Sequence, residues 1–327
     1  MSVEVAAFSW DKLLFVRETP KDSYQLYKMG ICLAEGLGVE KNFSQAMEFF
    51  HRASQEGNRD ATLYLVSHYR ATNLQESFEL LKQAAEKSGD CELHFRLAIA
   101  YLEGHGVERN LAIGVSYLQR SAAMKNGSAL VRLGRCYERG LGVELSEEKA
   151  YQYYVKGHVE GAPEAYHALG KCYLNGKGIE ANIPLAFVFL KKGAALGCIQ
   201  SLYRLAICQE FGIGCEIDVK AALPIYRKIA RRGHLGAIYQ MAIIYLNGSV
   251  VQGNLQLAER LFKVCANNGH IGSMKSLAFL FLNRQSSNSL DEKEAIQWLV
   301  KAASLGDVSA KSYLHSHYPQ YEVKRIY

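Results

Sequence analysis

Apolar and small residues along Ala165–Gly197 fall at helical spacing twice in succession. Ala165, Leu169, Gly170, Cys172 and Tyr173 stand at i, i+4, i+5, i+7 and i+8, one face of an amphipathic helix. Ala186, Phe189, Leu190, Gly193 and Ala194 repeat the pattern, and Gly197 stops it as a residue suited to a left-handed C-cap. The stretch reads as a helical hairpin. Its small residue returns at Gly30, Val66, Ala98, Gly134, Gly170, Ala206, Ala242 and Ala278, in steps of 36 residues except one of 32. A fixed period of this size predicts a solenoid, in which each unit buries its apolar face only against its neighbours.

Between the two helices lies a Gly-x-Gly-apolar turn, at Gly36, Gly104, Gly140, Gly176 and Gly212. A phosphate-binding glycine loop follows a strand; here a helix precedes each turn, so the turns read as structural. Repeat two replaces the turn with Arg70–Leu74, which accounts for the short step, and repeat eight stretches it into the polar run Asn283–Leu290. The expected organisation is an N-terminal cap segment over residues 1–20, with Val3 to Val16 as a covering helix. A solenoid of about eight repeats follows over 21–306, and a C-terminal capping helix with its tail over 307–327. The fold class is all-α: a right-handed α-solenoid superhelix of about eight helical hairpins with terminal capping helices.

The A-x-x-x-L-G-x-x-Y-x-x-G-x-G-V pattern and the endings Lys301-Ala302-Ala303-Ser-Leu-Gly306 and Ala194-Ala195-Leu-Gly197 resemble the Sel-one-like repeat, a relative of the tetratricopeptide repeat. The resemblance covers nearly the whole chain. It implies an α-solenoid adaptor that assembles complexes, as family members do in eukaryotic membrane-protein degradation, cell-wall regulation, bacterial signalling and host interaction. It implies a scaffold and no reaction.

Composition narrows the function classes. No run approaches the roughly 18 uninterrupted apolar residues of a membrane span. The start, MSVEVAAFSWDKLLFVRE, lacks the form of a secretory leader, so cytoplasmic residence is expected, export by another route aside. Four of the eight cysteines, Cys32, Cys136, Cys172 and Cys208, share one register on the buried face of successive first helices. Neighbouring helices about 8–10 Å apart hold such residues too far apart to bridge, and free thiols suit a reducing compartment. Cys208 and Cys215 alone stand close enough in sequence for a local bridge. A formal charge of +6 argues for neither nucleic acid nor membrane. His315 and His317 do not share a helix face, His105, His158, His234 and His270 read as surface residues, and no nucleophile with a base is evident. No enzyme activity, cofactor or metal is expected.

What remains is surface. First helices of such arrays line the concave side, and the stripe opposite their core contains Arg70, Phe95, Arg135, Arg139, His167, Lys171, Asn175, Tyr203, Phe211, Tyr239, Asn247 and Asn283. Arg132, Arg135 and Arg139 follow one helical stripe, flanked by Arg96 and Lys171, with Glu138 near enough to neutralise part of the charge. Side-chain amides at the equivalent positions Asn175, Asn247 and Asn283 suit either a bound peptide backbone or the adjacent turn. The expected function is a non-catalytic adaptor that binds a partner polypeptide in its groove, with an acidic segment over repeats three to six. A single-stranded RNA-binding helical repeat is the alternative, against which basic residues do not recur in every repeat, and a hydrolase is weaker still, since no catalytic constellation supports it.

Overall fold

The computed structural model describes residues 22–248, 252–284 and 289–321, and among them every regular element is an α-helix. The expected N-terminal cap helix, residues 285–288 of the polar run in repeat eight and the tail beyond Tyr321 lie outside the described residues. Two compact units are present. One runs to Cys172 and takes in Gly176–Glu180, and the other comprises Tyr173–Asn175 and the chain from Ala181 onward.

In the first unit the hairpins are α1 (Ser23–Glu35) with α2 (Phe43–Gln55), α3 (Arg59–Thr72) with α4 (Leu74–Ser88), α5 (Cys91–Glu103) with α6 (Leu111–Ala123), and α7 (Gly127–Arg139) with α8 (Glu147–Val159). Helix α9 (Pro163–Asn175) follows, its last three residues belonging to the second unit. The second unit contains α10 (Ile183–Ala195), then α11 (Ile199–Phe211) with α12 (Val219–Ala230), α13 (Leu235–Asn247) with α14 (Leu255–Asn267), and α15 (Ile271–Leu282) with α16 (Ser289–Ser304). Helix α17 (Val308–His317) packs on α16, where the sequence places a ninth first helix. Consecutive helices pack against each other from α1 to α8 and from α10 to α17, so each unit is an all-α solenoid stack.

Local chemistry explains why each helix begins and ends where it does. The second helices start on Asn42, Asn110, Ser146, Asn182, Asp218 and Asn254, each 12 residues after its anchor, and each side chain accepts a hydrogen bond from a backbone N–H of the first turn. The N–H of the same cap residue donates back to the first helix, as Asn110 does to the Tyr101 carbonyl and Ser146 to that of Tyr137, both at 2.9 Å. In repeat two, Asn73 serves as C-cap of α3 and N-cap of α4, which is how that repeat dispenses with its turn.

The paired turn glycines have separate tasks. Gly176 caps α9 with φ 66°, a left-handed conformation that favours glycine. Gly178, at φ 71°, lies so near the start of α8 that a Cβ there would sit 2.1 Å from the Glu147 carbonyl oxygen. Gly106, Gly142 and Gly214 meet Leu74, Leu111 and Ile183, the first residues of the preceding second helices, in the same way. The turn is thus a contact between repeats. The anchor position is small for a related reason: a Cβ on Gly134 would lie 2.6 Å from the Tyr154 ring and one on Gly30 2.5 Å from Phe50, both rings being among the most buried in the chain.

All eight cysteines are free. Cys136, Cys172 and Cys208 are buried as expected, whereas Cys32 in the first hairpin is only half-buried. The Cys215 thiol donates to the Cys208 carbonyl at 3.5 Å in place of the local bridge considered from sequence. Burial pushes the Cys172 and Cys208 thiols up to about 11, so they stay protonated at neutral pH.

Candidate partner-binding surfaces

In the first unit, most of the cations expected to form a basic stripe have acidic neighbours. Arg96 donates to Glu92 at 2.7 Å along one helix, and Arg132 pairs with Glu103 of the preceding repeat. Lys171 reaches Glu138 at 2.8 Å. Glu138 also accepts from the Tyr154 hydroxyl at 2.8 Å, so its partners are Lys171 and Tyr154 and not Arg135, the neighbour that sequence spacing suggests. Burial alone would raise the Glu138 carboxyl. Hydrogen bonds from Lys171 and Tyr154, with the charge of Lys171, hold it below its ordinary value. Arg135, half-buried, and Arg139, exposed, form no hydrogen bond or ion pair among the described residues.

A cleft of about 300 Å³ opens in the same unit where α3, α4 and α5 meet. Val66, Phe78, Leu81 and Ile99 contribute its apolar floor, and Phe95, Arg70, Arg96, Glu92 and His105 surround it. Arg70 is exposed and has no acidic partner among the described residues. Arg70, Phe95 and Arg96 all belong to the surface positions identified from sequence. The structure therefore brings these three together, although the cleft itself sits at the irregular repeat.

In the second unit the expected aromatic row is held by histidines. Tyr203 packs on His234 with ring centroids 4.5 Å apart, and Tyr239 packs on His270 at 4.9 Å. These histidines are not the ordinary surface residues that sequence reading suggests. Each is an N-cap, with Nδ1 accepting from the backbone N–H of Ala237 or Ser273 at 3.1 Å. The signal was available, since the equivalent position holds Asp90 and Asn126 in repeats three and four. Burial lowers the pKa of His270, which favours the neutral ring that can accept this bond. Phe211 is 57% exposed at the end of α11. Asn175 and Asn247 are the last residues of α9 and α13, and Asn283 caps α15. All three are exposed and their side chains form no hydrogen bond among the described residues, so they support neither their turns nor one another. His167 lies half-buried on α9.

A recurring acid and tyrosine escaped the sequence reading. Glu138 and Tyr154 in repeat four are matched by Glu210 and Tyr226 in repeat six, where the tyrosine hydroxyl donates to the carboxylate at 2.6 Å. The signal was their common offset of 72 residues, 210 − 138 and 226 − 154.

The Sel1 repeat model matches eight successive segments, residues 26–58, 62–88, 92–126, 127–157, 163–198, 199–234, 236–270 and 276–307. The chain belongs to the Sel1 repeat family. Among solved structures it is similar to a protective antigen present in uropathogenic Escherichia coli strains displaying an SLR fold, with 25% identity and a TM-score of 0.67 over 91% of this chain and 65% of that one. The chain thus spans 65% of that protein's length. It shares its fold with a Sel1 repeat protein from Oxalobacter formigenes, at 24% identity and a TM-score of 0.60, covering 94% of this chain and 90% of that one. Sel1 repeats generally mediate protein–protein interaction. Among the described residues of this Sel1 repeat chain, no helix is long and apolar enough to cross a membrane, and no three His, Cys, Asp or Glu gather as metal ligands would.

Proposed function

We propose that this Sel1 repeat chain is a non-catalytic scaffold that binds a partner polypeptide on its first-helix faces. The observation that supports this most is the cleft between α3, α4 and α5. An apolar floor with an unpartnered Arg70 at its edge suits a bulky apolar side chain accompanied by a carboxylate. Arg135 and Arg139 extend the same preference along the unit, because their charges are not spent on internal acids. Arg96, Arg132 and Lys171 already have such acids, which weakens the case for tracking a phosphate backbone and hence for RNA. Residence in a reducing, cytoplasmic compartment accords with eight free thiols.

The experiment is affinity capture with the full chain after nuclease treatment, the retained molecules being identified by mass spectrometry. A polypeptide should be retained by the parent and lost from Phe95→Ala and from the double variant Arg135→Glu, Arg139→Glu, with loss of the latter blunted at high salt. Both variants should keep parental helicity. Retention that vanishes with nuclease would establish the RNA reading instead. Equal retention by all three proteins would move the binding surface elsewhere.

A further inference from the structure

Repeats four and six build the same acid–tyrosine pair but complete it differently. In repeat four one Glu138 oxygen takes the Tyr154 hydroxyl and the other takes the Lys171 ammonium, both at 2.8 Å. In repeat six Glu210 takes only the Tyr226 hydroxyl, at 2.6 Å. The residue of the following repeat that corresponds to Lys171 is Ile243, since 243 − 171 equals the 72-residue offset of the two acids. Among the described residues no cation and no second donor reaches Glu210, and its partial burial raises its pKa.

Exposed apolar residues follow along the first helices. Phe211 beside Glu210 is 57% exposed, and Leu246 on α13 and Phe279 on α15, in the next two repeats, are each 38% exposed, while Ile243 is half-buried against the core. A carboxylate accepts several hydrogen bonds and one is used here. Holding a half-buried carboxylate without a counter-charge is unfavourable unless a charge-assisted partner arrives from outside. Exposed rings and aliphatic side chains along this stripe would meet the neighbours of that partner.

We infer that Glu210 is the receptor for a lysine or arginine of the bound polypeptide, flanked by apolar residues that lie over Phe211, Leu246 and Phe279. The incoming cation occupies the role that Lys171 performs within repeat four. This rests on the scaffold reading and adds to it a second contact of opposite charge preference, in the second unit. Glu210→Gln keeps an acceptor for Tyr226 and removes only the charge. Ile243→Lys supplies the internal cation that repeat four already has.

The test is selection of a phage-displayed random dodecapeptide library on the full chain, with binding of the selected peptides then measured on both variants. Peptides enriched on the parent should carry Lys or Arg next to apolar residues, and should bind Glu210→Gln and Ile243→Lys at least about tenfold more weakly, as expected for loss of one member of a desolvated charge pair. Parental affinity for Glu210→Gln, or enrichment of peptides without a cation, would overturn the assignment of Glu210 and leave the scaffold reading intact. No enrichment of any peptide would overturn both. Should Ile243→Lys unfold, Glu210→Gln decides alone.

Discussion

The Glu138 and Glu210 sites differ in one neighbour, and with it in the sign of the acid's net pKa shift: burial pushes both carboxyls up, but at Glu138 the Lys171 and Tyr154 partners outweigh it. Each acid is the next-to-last residue of the first helix of its repeat, and each is held by a tyrosine from the second helix of the same repeat. Lys171 comes from the following repeat, as does Ile243. Local geometry is therefore made within a hairpin, whereas charge compensation is made between hairpins. An array of near-identical units can in this way carry a closed site and an open one on the same scaffold, by a change at a single position.

Removing the cation from the closed site should have the largest effect. Lys171→Ile turns the Glu138 surroundings into those of Glu210, and loss of a charge-assisted hydrogen bond to a half-buried acid should cost about 2 kcal/mol, read as a lower midpoint in urea at pH 7. An unchanged midpoint would mean that solvent compensates Glu138 as well as Lys171 does, and the contrast between the sites would lose its basis. The hydroxyl deletions come next. Tyr226→Phe strips Glu210 of its one donor and should cost about 1 to 2 kcal/mol, more than Tyr154→Phe, after which Glu138 still has Lys171. The reverse order would place an unrecognised partner at Glu210.

The smallest effect is a pair of opposite pH slopes. Glu138 has a lowered pKa in the folded chain, so it binds fewer protons folded than unfolded; its stabilisation is present above the unfolded carboxylate value and fades as pH falls through the folded one. Glu210 has a raised pKa and binds more protons folded, so its contribution is full at low pH and is lost as pH rises through its folded value. Compared with the parent, Glu138→Gln should show a stability deficit at pH 7 that closes on acidification. Glu210→Gln should gain relative to the parent as pH rises through the same region. Urea midpoints from pH 3 to pH 7 for the three proteins check both slopes, and parallel curves would remove the distinction.

Sequence reading went furthest where the signal lies within one repeat. Gly134 and Gly30 were legible as close-approach positions because the period and the small residue coincide, and the tyrosine and phenylalanine rings behind them follow from helical spacing. The caps were partly legible. Asn110, Ser146 and Asn182 stand in one register and Asp90 and Asn126 in another, but His234 and His270 in that second register do not read as caps from sequence, because a histidine cap needs its acceptor nitrogen aimed at the helix start. The basic stripe was the least legible part. Positions of Arg132 and Lys171 on a helix face follow from the sequence, but their acids do not.

By itself the sequence determined the helical hairpins, their period, the turn glycines and the family, because these depend on contacts three or four residues apart and on backbone conformations that few residues adopt. Only the tertiary structure decided which charges are free. Arg132 meets Glu103 from 29 residues away and Lys171 meets Glu138 from 33, and whether such pairs form depends on the rise of one hairpin over the next and on side-chain reach. The same stacking sets the second turn glycine against the preceding helix, opens the cleft beside Arg70, and brings Lys171 onto Glu138 while no cation reaches Glu210 among the described residues.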